Sequence, residues 1–385
     1  MARPKRDWQQ PCPNRSCAAF DSIGDGNITA ISTYQTRSGT RHIFRCQLCK
    51  EQFSETRDTV LFGLHTPENE VIRALKMLLV GCDLQDISYV LGYTEETILK
   101  WLQRSARHVE AINAKLLRNL SIKQVQLDEM WAFIARKRST SAVEGLESPE
   151  NAEDGRQWIW IGFDPDTRLM LAATVGPRTM EMAKNLMVLI AATVCGLPAF
   201  FSDGMSSYYR AIVETFGTFI SPEPTGKRGR PKKGWYEPPK NLIYGQLVKE
   251  HSGRRLVGIT KTIISGAEEF ARQGLSISTS LIERLNLTLR GALAPLTRKG
   301  LSFCKKRERL QQRTTFFQGF YNYARPHMSL RRPLPEGEQS PYLFGRVYED
   351  RSPAMAAKIT DHVWSFKELL TAKIGRPPSF QSTRG

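Results

Sequence analysis

The chain has 385 residues, with 55 Lys and Arg against 38 Asp and Glu, and its formal net charge is +17 at pH 7. This length allows a sizeable core and more than one domain, and the excess of positive charge indicates a polyanionic partner, although a membrane surface would also fit. No uninterrupted apolar run reaches the roughly 18 residues that a membrane span needs. Residues 1–8 lack the apolar region of a secretory signal. We therefore expect no membrane contact and a location in the cytoplasm, associated with the nucleoid.

Four of the seven cysteines form two close pairs near the start of the chain. Cys12 and Cys17 make up the first pair, and Cys46 and Cys49 the second, with a polar, glycine-containing stretch between them. Two such pairs are typical of a zinc ribbon, in which four thiolates hold one tetrahedral ion and stabilise a segment with little core of its own. The odd total argues against a disulfide framework, and unpaired thiols or a redox pair are the alternative interpretation.

Three helices are predicted after the ribbon. The first opens after Pro67, the second stops at Gly92, and Thr94 caps the third, whose first turn contains two glutamates. This arrangement is typical of a helix-turn-helix, with a helical hairpin unrelated to DNA as the alternative. The third helix would enter the major groove of DNA. The side chains expected to contact bases or phosphates are Thr97, Lys100, Gln103 and Arg104.

Three carboxylates further along the chain lie in contexts that point to phosphoryl chemistry. Asp128 follows an apolar alternation in a strand predicted over residues 124–134. Asp203 precedes a glycine at the end of another apolar strand, where ligands of open α/β sheets collect. Glu283 lies on a helix whose apolar residues recur every three or four positions. Only a tertiary fold could bring these distant acids together.

A cluster of these three acids would require cations. Converging carboxylates repel one another, and burying them is costly unless positive charge neutralises them. Magnesium prefers oxygen ligands, and two ions about 3.5 to 4 Å apart could activate a water or a 3′-hydroxyl and stabilise the leaving oxygen. Two ions of Mg²⁺, or of Mn²⁺, are therefore the expected cofactors of such a cluster. A single acid taken alone is more often a solvated surface charge.

The helix of Glu283 carries further groups that suit a phosphate backbone. Asn286 and Arg290 fall beside Glu283 on a helical wheel, so that one edge offers a carboxylate, an amide and a guanidinium. Arg298 and Lys299 continue the positive surface beyond the helix. A basic surface is usually only solvated, but here it neighbours the proposed metal centre. We expect these four residues to contact DNA.

A loop rich in Pro, Gly, Lys and Arg is predicted over residues 221–240. Its Arg-Gly-Arg-Pro core is similar to an AT-hook, whose arginines insert into the minor groove of A·T-rich DNA. Short matches arise easily, and a solvated basic loop is the alternative. The residues of the loop expected to bind DNA are Arg228, Arg230, Lys232 and Lys233.

Three motifs together resemble the catalytic domain of DDE transposases of the insertion sequence one type. They are the Asp-Glu-x-Trp strand, the Ser-Asp-Gly strand end and the Glu-Arg-x-Asn-x-x-x-x-Arg helix. The resemblance implies a ribonuclease-H-like fold with Asp128, Asp203 and Glu283 as the metal-binding triad. A long polar insertion at residues 139–155 departs from the family pattern. Glu129 adjoins Asp128 but should point to the opposite strand face, so we expect it to have a supporting role.

The sequence therefore predicts a multidomain α+β protein. Its parts are a zinc ribbon (1–66), a helix-turn-helix domain (67–120), a ribonuclease-H-like mixed α/β catalytic domain (121–330) and a C-terminal tail (331–385). The resemblance implies a transposase that binds double-stranded DNA at element ends, cleaves a strand and transfers it to target DNA, as a homo-oligomer on DNA. The alternatives are a DNA-binding regulator with an inactive catalytic remnant, and a structure-specific nuclease without strand transfer.

Overall fold

The structure, a computed structural model, describes residues 8–134, 155–222, 233–253, 255–298, 300–339 and 347–375. The chain divides into two compact units. The first unit comprises residues 1–78, 84–116 and 364–385, and the second comprises residues 79–83 and 117–363. The division into four domains drawn from the sequence stays a prediction. Within the described part of the chain, no helix combines the length and apolar character needed to cross a bilayer.

The helices and strands follow one another in this order. The first group is β1 (Ile28–Thr36), β2 (Gly39–Cys46), β3 (Gln52–Ser54), α1 (Glu68–Leu78), α2 (Leu84–Leu91) and α3 (Glu95–Leu116). The next is β4 (Gln124–Ile134), β5 (Gly155–Phe163), β6 (Met170–Gly176), α4 (Met180–Ala191), β7 (Ala199–Ser202), α5 (Ser207–Phe216), β8 (Thr218–Ile220) and β9 (Trp235–Glu237). The last is β10 (Tyr244–Ser252), β11 (Arg255–Ser265), α6 (Ala267–Arg272), α7 (Ser280–Ala292), α8 (Arg307–Gly319), β12 (Arg332–Pro333), β13 (Tyr348–Glu349), α9 (Pro353–Ala356) and α10 (Phe366–Thr371).

The first unit begins with a small antiparallel sheet of β1, β2 and β3. Its buried apolar residues are few, namely Ile28, Phe44 and Phe53, and they pack beside two of the cysteines. A core of this size supplies little hydrophobic stabilisation, so a segment like this usually depends on a metal or on disulfides. We therefore expect the folding of this segment to depend on its cysteines.

Helices α1, α2 and α3 complete most of the first unit at the positions that the sequence predicts. Each helix buries apolar side chains, with Leu75 on α1, Ile87 on α2 and Leu102 on α3 as examples. The turn before α3 passes through Gly92 at φ +73°, a left-handed conformation that glycine adopts without strain. Thr94 then accepts a hydrogen bond at its hydroxyl oxygen from the backbone N–H of residue 97, at 3.3 Å, which caps α3 as expected.

The segment around α10 also belongs to the first unit. The backbone oxygen of Leu370 accepts a hydrogen bond of 3.1 Å from the N–H of Val60. Lys373 donates from Nζ to Oε1 of Gln10 at 2.6 Å and to the backbone oxygen of Glu55 at 3.0 Å. The sequence predicts a tail here, because a helix of six residues is too short to show apolar periodicity. In the structure, the segment around α10 and the segment around Gln10 belong to one folded unit.

The second unit is built on a mixed six-stranded sheet in the order β11-β10-β7-β4-β5-β6. Strand β4 runs parallel to β7 and antiparallel to β5, and β10 runs parallel to β7. Leu186, Ile190, Phe200 and Ile212 are among the residues of α4, β7 and α5 that form the main core. Helix α7 contacts β4, and the backbone N–H of Ile282 donates to Oε1 of Gln126 at 3.0 Å. The predicted mixed α/β architecture is confirmed, and its strand order places the candidate site.

Candidate metal centres and nucleic-acid contacts

The four cysteines of the ribbon converge on one point. Cys12 Sγ lies 3.6 Å from Cys49 Sγ, and Cys17 Sγ lies 3.9 Å from Cys46 Sγ. All four sulfurs lie within 4.8 Å of one another. A tetrahedral ion with Zn–S bonds of about 2.3 Å holds its sulfurs about 3.8 Å apart. The thiol spacing therefore fits a tetrahedral ion, and the cluster is compatible with a zinc ribbon.

The cysteines of this cluster differ in their acidity. Burial raises the pKa of Cys12 far above the ordinary value of a thiol. Burial also acts to raise the pKa of Cys49, but hydrogen bonds from the backbone of Glu51 and from the other cysteines outweigh it and lower that pKa to about 7. Zinc binds thiolates and displaces thiol protons, so one thiol of the cluster is already close to the required form and a cation would deprotonate the others.

Two of the three predicted acids meet in the second unit. In the parallel pair of β4 and β7, Leu127 lies opposite Ser202, so Asp128 comes next on β4 and Asp203 directly follows the end of β7. Carboxylate oxygens of Asp128, Asp203 and Glu129 all lie within 4.8 Å of one another. The inclusion of Glu129 is unexpected, since neighbouring side chains of a strand point to opposite faces. Strand β7 ends at Ser202, so its backbone does not continue beside Asp128 and Glu129. The side chain of Asp203 can therefore approach both of these residues.

The electrostatics of the cluster are those of crowded, partly buried acids. Burial raises the pKa of Asp128 to about 7, and the negative charges of Asp203, Glu129 and Glu283 add to this effect. Burial also raises the pKa of Glu129, followed by the charge of Asp203. Repulsion of this kind is relieved when a hard divalent cation binds between the carboxylates. The oxygen ligands therefore fit magnesium or manganese.

Glu129 is held in place by one residue of the loop before α4 and one residue of α5. Arg178 donates from Nε to Oε1 of Glu129 at 2.9 Å, and a second guanidinium nitrogen donates to the same oxygen. The hydroxyl of Tyr208 donates to Oε2 at 2.9 Å. The guanidinium of Arg178 also lies over the ring of Trp158, 5.0 Å from its centroid. The carboxylate of Glu129 is thus charge-balanced and fixed beside the two aspartates.

Glu283 stands apart from the three clustered acids. Its Oε1 accepts hydrogen bonds from Lys249 Nζ at 2.5 Å and from Thr279 Oγ1 at 2.8 Å. It is close enough to raise the pKa of Asp128, but its oxygens are not part of the group within 4.8 Å. The assignment of Glu283 as the third metal ligand stays a prediction, and in this structure a lysine neutralises it.

The other polar groups of α7 make contacts within the protein. Asn286 donates from Nδ2 to Oδ2 of Asp128 at 2.7 Å, and its Oδ1 is buried with no hydrogen-bond partner among the described residues. Arg290 lies 3.4 Å from the backbone oxygen of Leu296, and burial, followed by the charge of Arg298, lowers its pKa. Arg298 itself is exposed, while Lys299 lies outside the described residues. Asn286 therefore orients a carboxylate of the cluster.

The residues predicted to read DNA lie on the first turns of α3. Lys100 pairs with Glu96 at 2.9 Å, and the hydroxyls of Thr97 and Thr94 are 2.9 Å apart. Arg104 bonds the backbone oxygen of residue 62, and burial lowers its pKa. Gln103 is half-buried. Of these side chains, the amine of Lys100 is the most exposed, and its partner is a solvated surface acid.

The basic loop of the second unit falls largely beyond the described part of the chain. Lys233 is exposed, whereas Arg228, Arg230 and Lys232 lie outside the described residues, as does nearly all of the insertion at 139–155. Their predicted DNA contacts stay predictions.

Sequence reasoning missed the three side chains that surround the acids, namely Arg178, Tyr208 and Lys249. No motif contains Arg178 or Tyr208, and each reaches Glu129 through the packing of a helix or loop on the sheet. Lys249 lies on β10, a strand that the sequence does not predict. The available signal was indirect, because buried acids require nearby donors or cations.

Comparison with known proteins adds one relative. No family model matches the chain. The insertion element iso-IS1n protein InsB of Shigella dysenteriae is 29% identical to it over 87 residues, which are 23% of this chain and 53% of that protein. The resemblance to insertion sequence one proteins is confirmed. The chain thus spans about half the length of this relative.

Two crystal structures show a more distant likeness. The Mos1 strand transfer complex is 13% identical, with 38% of this chain and 54% of that chain covered and a TM-score of 0.17. The mariner Mos1 paired end complex with Mg is 14% identical, with coverages of 39% and 57% and a TM-score of 0.16. Scores this low carry no argument about the fold or the activity of the chain.

Proposed function

We propose that the chain is a DNA transposase whose second unit cleaves a DNA strand and joins the 3′-hydroxyl to target DNA with the help of divalent cations. The observation that carries this proposal is the meeting of Asp128 on β4 with Asp203 at the end of the adjacent parallel strand β7, with Glu129 in the same cluster. The confirmed resemblance to insertion-element proteins supports it. So does the mixed sheet order, which suits the ribonuclease-H-like fold that the resemblance implies.

In this proposal, each acid has a distinct role. Asp128 and Asp203 would hold one Mg²⁺ or Mn²⁺, and Glu283 would complete the ligands of a second. The ions would activate a water or the 3′-hydroxyl of a DNA strand for attack and would neutralise charge on the phosphate. Asn286 keeps one oxygen of Asp128 oriented, and Arg178 with Tyr208 holds the carboxylate of Glu129 in place. Lys249, once it leaves Glu283, would be free to donate to a phosphate oxygen.

The first unit would recognise the DNA ends of the element. A zinc ion held by the four cysteines would stabilise the ribbon, and the side chains of α3 would contact the major groove. The basic loop and the segment after α7 would add phosphate contacts through Lys233, Arg298 and Lys299, with Arg228, Arg230 and Lys232 in a minor groove. Transposition requires two ends to be held together, so we propose a homo-oligomer on DNA.

One assay separates this function from its alternatives. Purified protein is incubated with Mg²⁺, a labelled duplex that carries the terminal sequence flanking its own gene, and an unlabelled target duplex. Cleavage followed by joining is the expected result. Cleavage without joining would instead indicate a structure-specific nuclease, and binding without cleavage would indicate a regulator.

The matched variants are Asp128→Asn and Asp166→Asn. Asp166 is an exposed aspartate in the turn between β5 and β6, outside the acid cluster. We expect Asp128→Asn to lose cleavage by about a thousandfold or more, because a direct ligand of the ions is removed. Asp166→Asn should cleave as the unmodified protein does. Equal loss in both variants would show that the acid cluster is not the reactive centre.

A further inference from the structure

Strands β10 and β11 form an arm that extends beyond the edge of the sheet where the acids lie. Strand β10 pairs with β7 for three residues only, and the last pair is Gln246 with Ser202. Beyond it, β10 pairs with β11 alone, from Leu247 with Lys261 to Ser252 with Arg255. Six residues at about 3.3 Å each make this arm, residues 247–261, about 20 Å long.

The root of the arm lies directly beside the candidate metal centre. Val248 packs against the turn that follows Asp203, since a Cβ placed on Gly204 would lie 3.1 Å from a methyl carbon of Val248. The next residue, Lys249, bonds Glu283 from the opposite face of the strand. A nucleic acid strand bound at the acids would therefore meet the arm.

The described residues of the arm beyond Leu247 are exposed on both faces, apart from Gly258, which is half-buried. The exposed fraction is 60% for Val257, 52% for Ile259 and 45% for Leu256. A two-stranded hairpin without a packed face is marginally stable in water, and exposed apolar side chains in one place mark an interaction site. The arm is therefore a surface that needs a partner.

We propose that this arm is a DNA-binding β-hairpin that lies in a groove of the duplex next to the phosphate held at the acids. The proposal rests on the proposed function, which brings DNA to that edge of the sheet. A two-stranded β-ribbon fits the major groove, where apolar side chains contact thymine methyl groups and basic ones contact the flanking phosphates. The arm offers both kinds of side chain.

The charge of the arm favours DNA over a second copy of the chain. Lys249, Arg255 and Lys261 are basic, and Glu250 is the one acid among the described residues of the arm. The carboxylate of Glu250 accepts a hydrogen bond of 2.9 Å from the hydroxyl of Thr260. Two such arms brought together would repel each other, whereas a polyanion is attracted.

The first test measures how salt weakens binding to one fixed 40-base-pair duplex without divalent metal. The arm variant is Arg255→Gln with Lys261→Gln. Its matched control is Lys123→Gln with Lys240→Gln, which removes two exposed charges before β4 and β10, at the end of the sheet away from Asp203. If each arm residue meets one phosphate, the slope of log K against log salt falls by about 1.8 in the arm variant. Equal slopes in the two variants would overturn the proposal.

The second test identifies the partner. A photoreactive benzoylphenylalanine is placed at position 259 of the arm, and at position 188 on α4 as a control that is similarly exposed. We expect position 259 to cross-link to DNA and position 188 not to do so. A cross-link between two protein chains at position 259 would overturn the proposal in favour of a protein interface. The absence of any cross-link at that position would overturn it as well.

Failure of the arm and failure of the proposed function give different results. If the unmodified protein cleaves and joins DNA while the arm variant binds as its control does, the arm proposal alone is wrong. If the arm cross-links to DNA while the unmodified protein neither cleaves nor joins, the arm proposal stands and the transposase proposal is wrong.

Discussion

The cysteine cluster of the first unit and the acid cluster of the second are assembled to different degrees. All four predicted sulfurs lie within 4.8 Å of one another, whereas only two of the three predicted acids, with the addition of Glu129, do so. The third acid, Glu283, is held by Lys249. Both clusters gather groups of one kind around a point where a cation fits.

The difference follows from the charge of the groups. Thiols can keep their protons and pack together as small neutral side chains. Carboxylates near neutral pH repel, so each acid of the second cluster needs its own compensation. Glu129 has Arg178, Glu283 has Lys249, and Asp128 has a raised pKa. Arg178 and Lys249 thus supply positive charge to the acids, and a divalent cation that binds there must compete with these ion pairs.

The largest expected effect comes from breaking the cysteine cluster. Cys46→Ser removes one of four thiolates, and a structural zinc contributes about 10 kcal/mol to folding in small zinc domains. We expect bound zinc, measured by elemental analysis, to fall from one ion per chain to none and the ribbon to unfold. Cys195→Ser, which changes an exposed cysteine outside the cluster, is the control. Full zinc content in the Cys46 variant would contradict a four-thiolate site.

The next effect concerns the cost of assembling the acids. Because folding raises the pKa of Asp128 to about 7, the folded chain keeps a proton that the unfolded chain loses above pH 4, and stability falls as the pH rises between these values. At pH 8, Asp128→Asn should therefore raise the free energy of unfolding of the metal-free protein by up to about 4 kcal/mol.

The gain in the Asp128 variant should vanish below pH 4, where the carboxyl is protonated in both states. Denaturant unfolding at pH 8 and at the lowest pH where the protein is folded measures this difference. A gain that does not depend on pH would show that burial of the ionised Asp128 carboxylate does not lower the free energy of unfolding.

A smaller effect is expected from removing the counter-charge of Glu129. Arg178→Met leaves a buried carboxylate with Tyr208 as its remaining donor, and we expect a loss of about 1 to 3 kcal/mol in unfolding free energy, because the arginine is partly exposed. Adding Glu129→Gln removes the unpaired charge and should recover most of the loss. A double-mutant cycle by denaturant unfolding measures the coupling, and strictly additive losses would exclude it.

The smallest effect tests whether Lys249 competes with a cation. Lys249→Ala frees Glu283, so Mn²⁺ should bind about fivefold more tightly, in line with about 1 kcal/mol for a partly exposed ion pair. Lys261→Ala, on the same arm, is the control. Titration calorimetry measures both affinities, and unchanged or weaker binding in the Lys249 variant would show that the ion pair does not limit access to Glu283.

The parts of the fold that the sequence predicts are those with a buried face. Strand β4 and the apolar stripe of helix α7 pack on the core, so Asp128 could be predicted within a strand and Glu283 on a helix, while the apolar run before Asp203 predicts a strand end. Strand β11 is exposed along most of its length, so it has no alternation to detect. The partners Arg178 and Lys249 depend on tertiary packing, and α10 is too short to show a period.

The place of α10 in the first unit has a consequence for biosynthesis. A ribosome translates the ribbon and α1 to α3 early. The segment of Leu370 and Lys373, which hydrogen-bonds to Gln10, Glu55 and Val60, is translated only after the whole second unit. An unfinished polypeptide therefore lacks part of the unit proposed to recognise DNA. If the first unit binds DNA ends as proposed, we expect truncated products to compete poorly for those ends, because they lack the residues around α10.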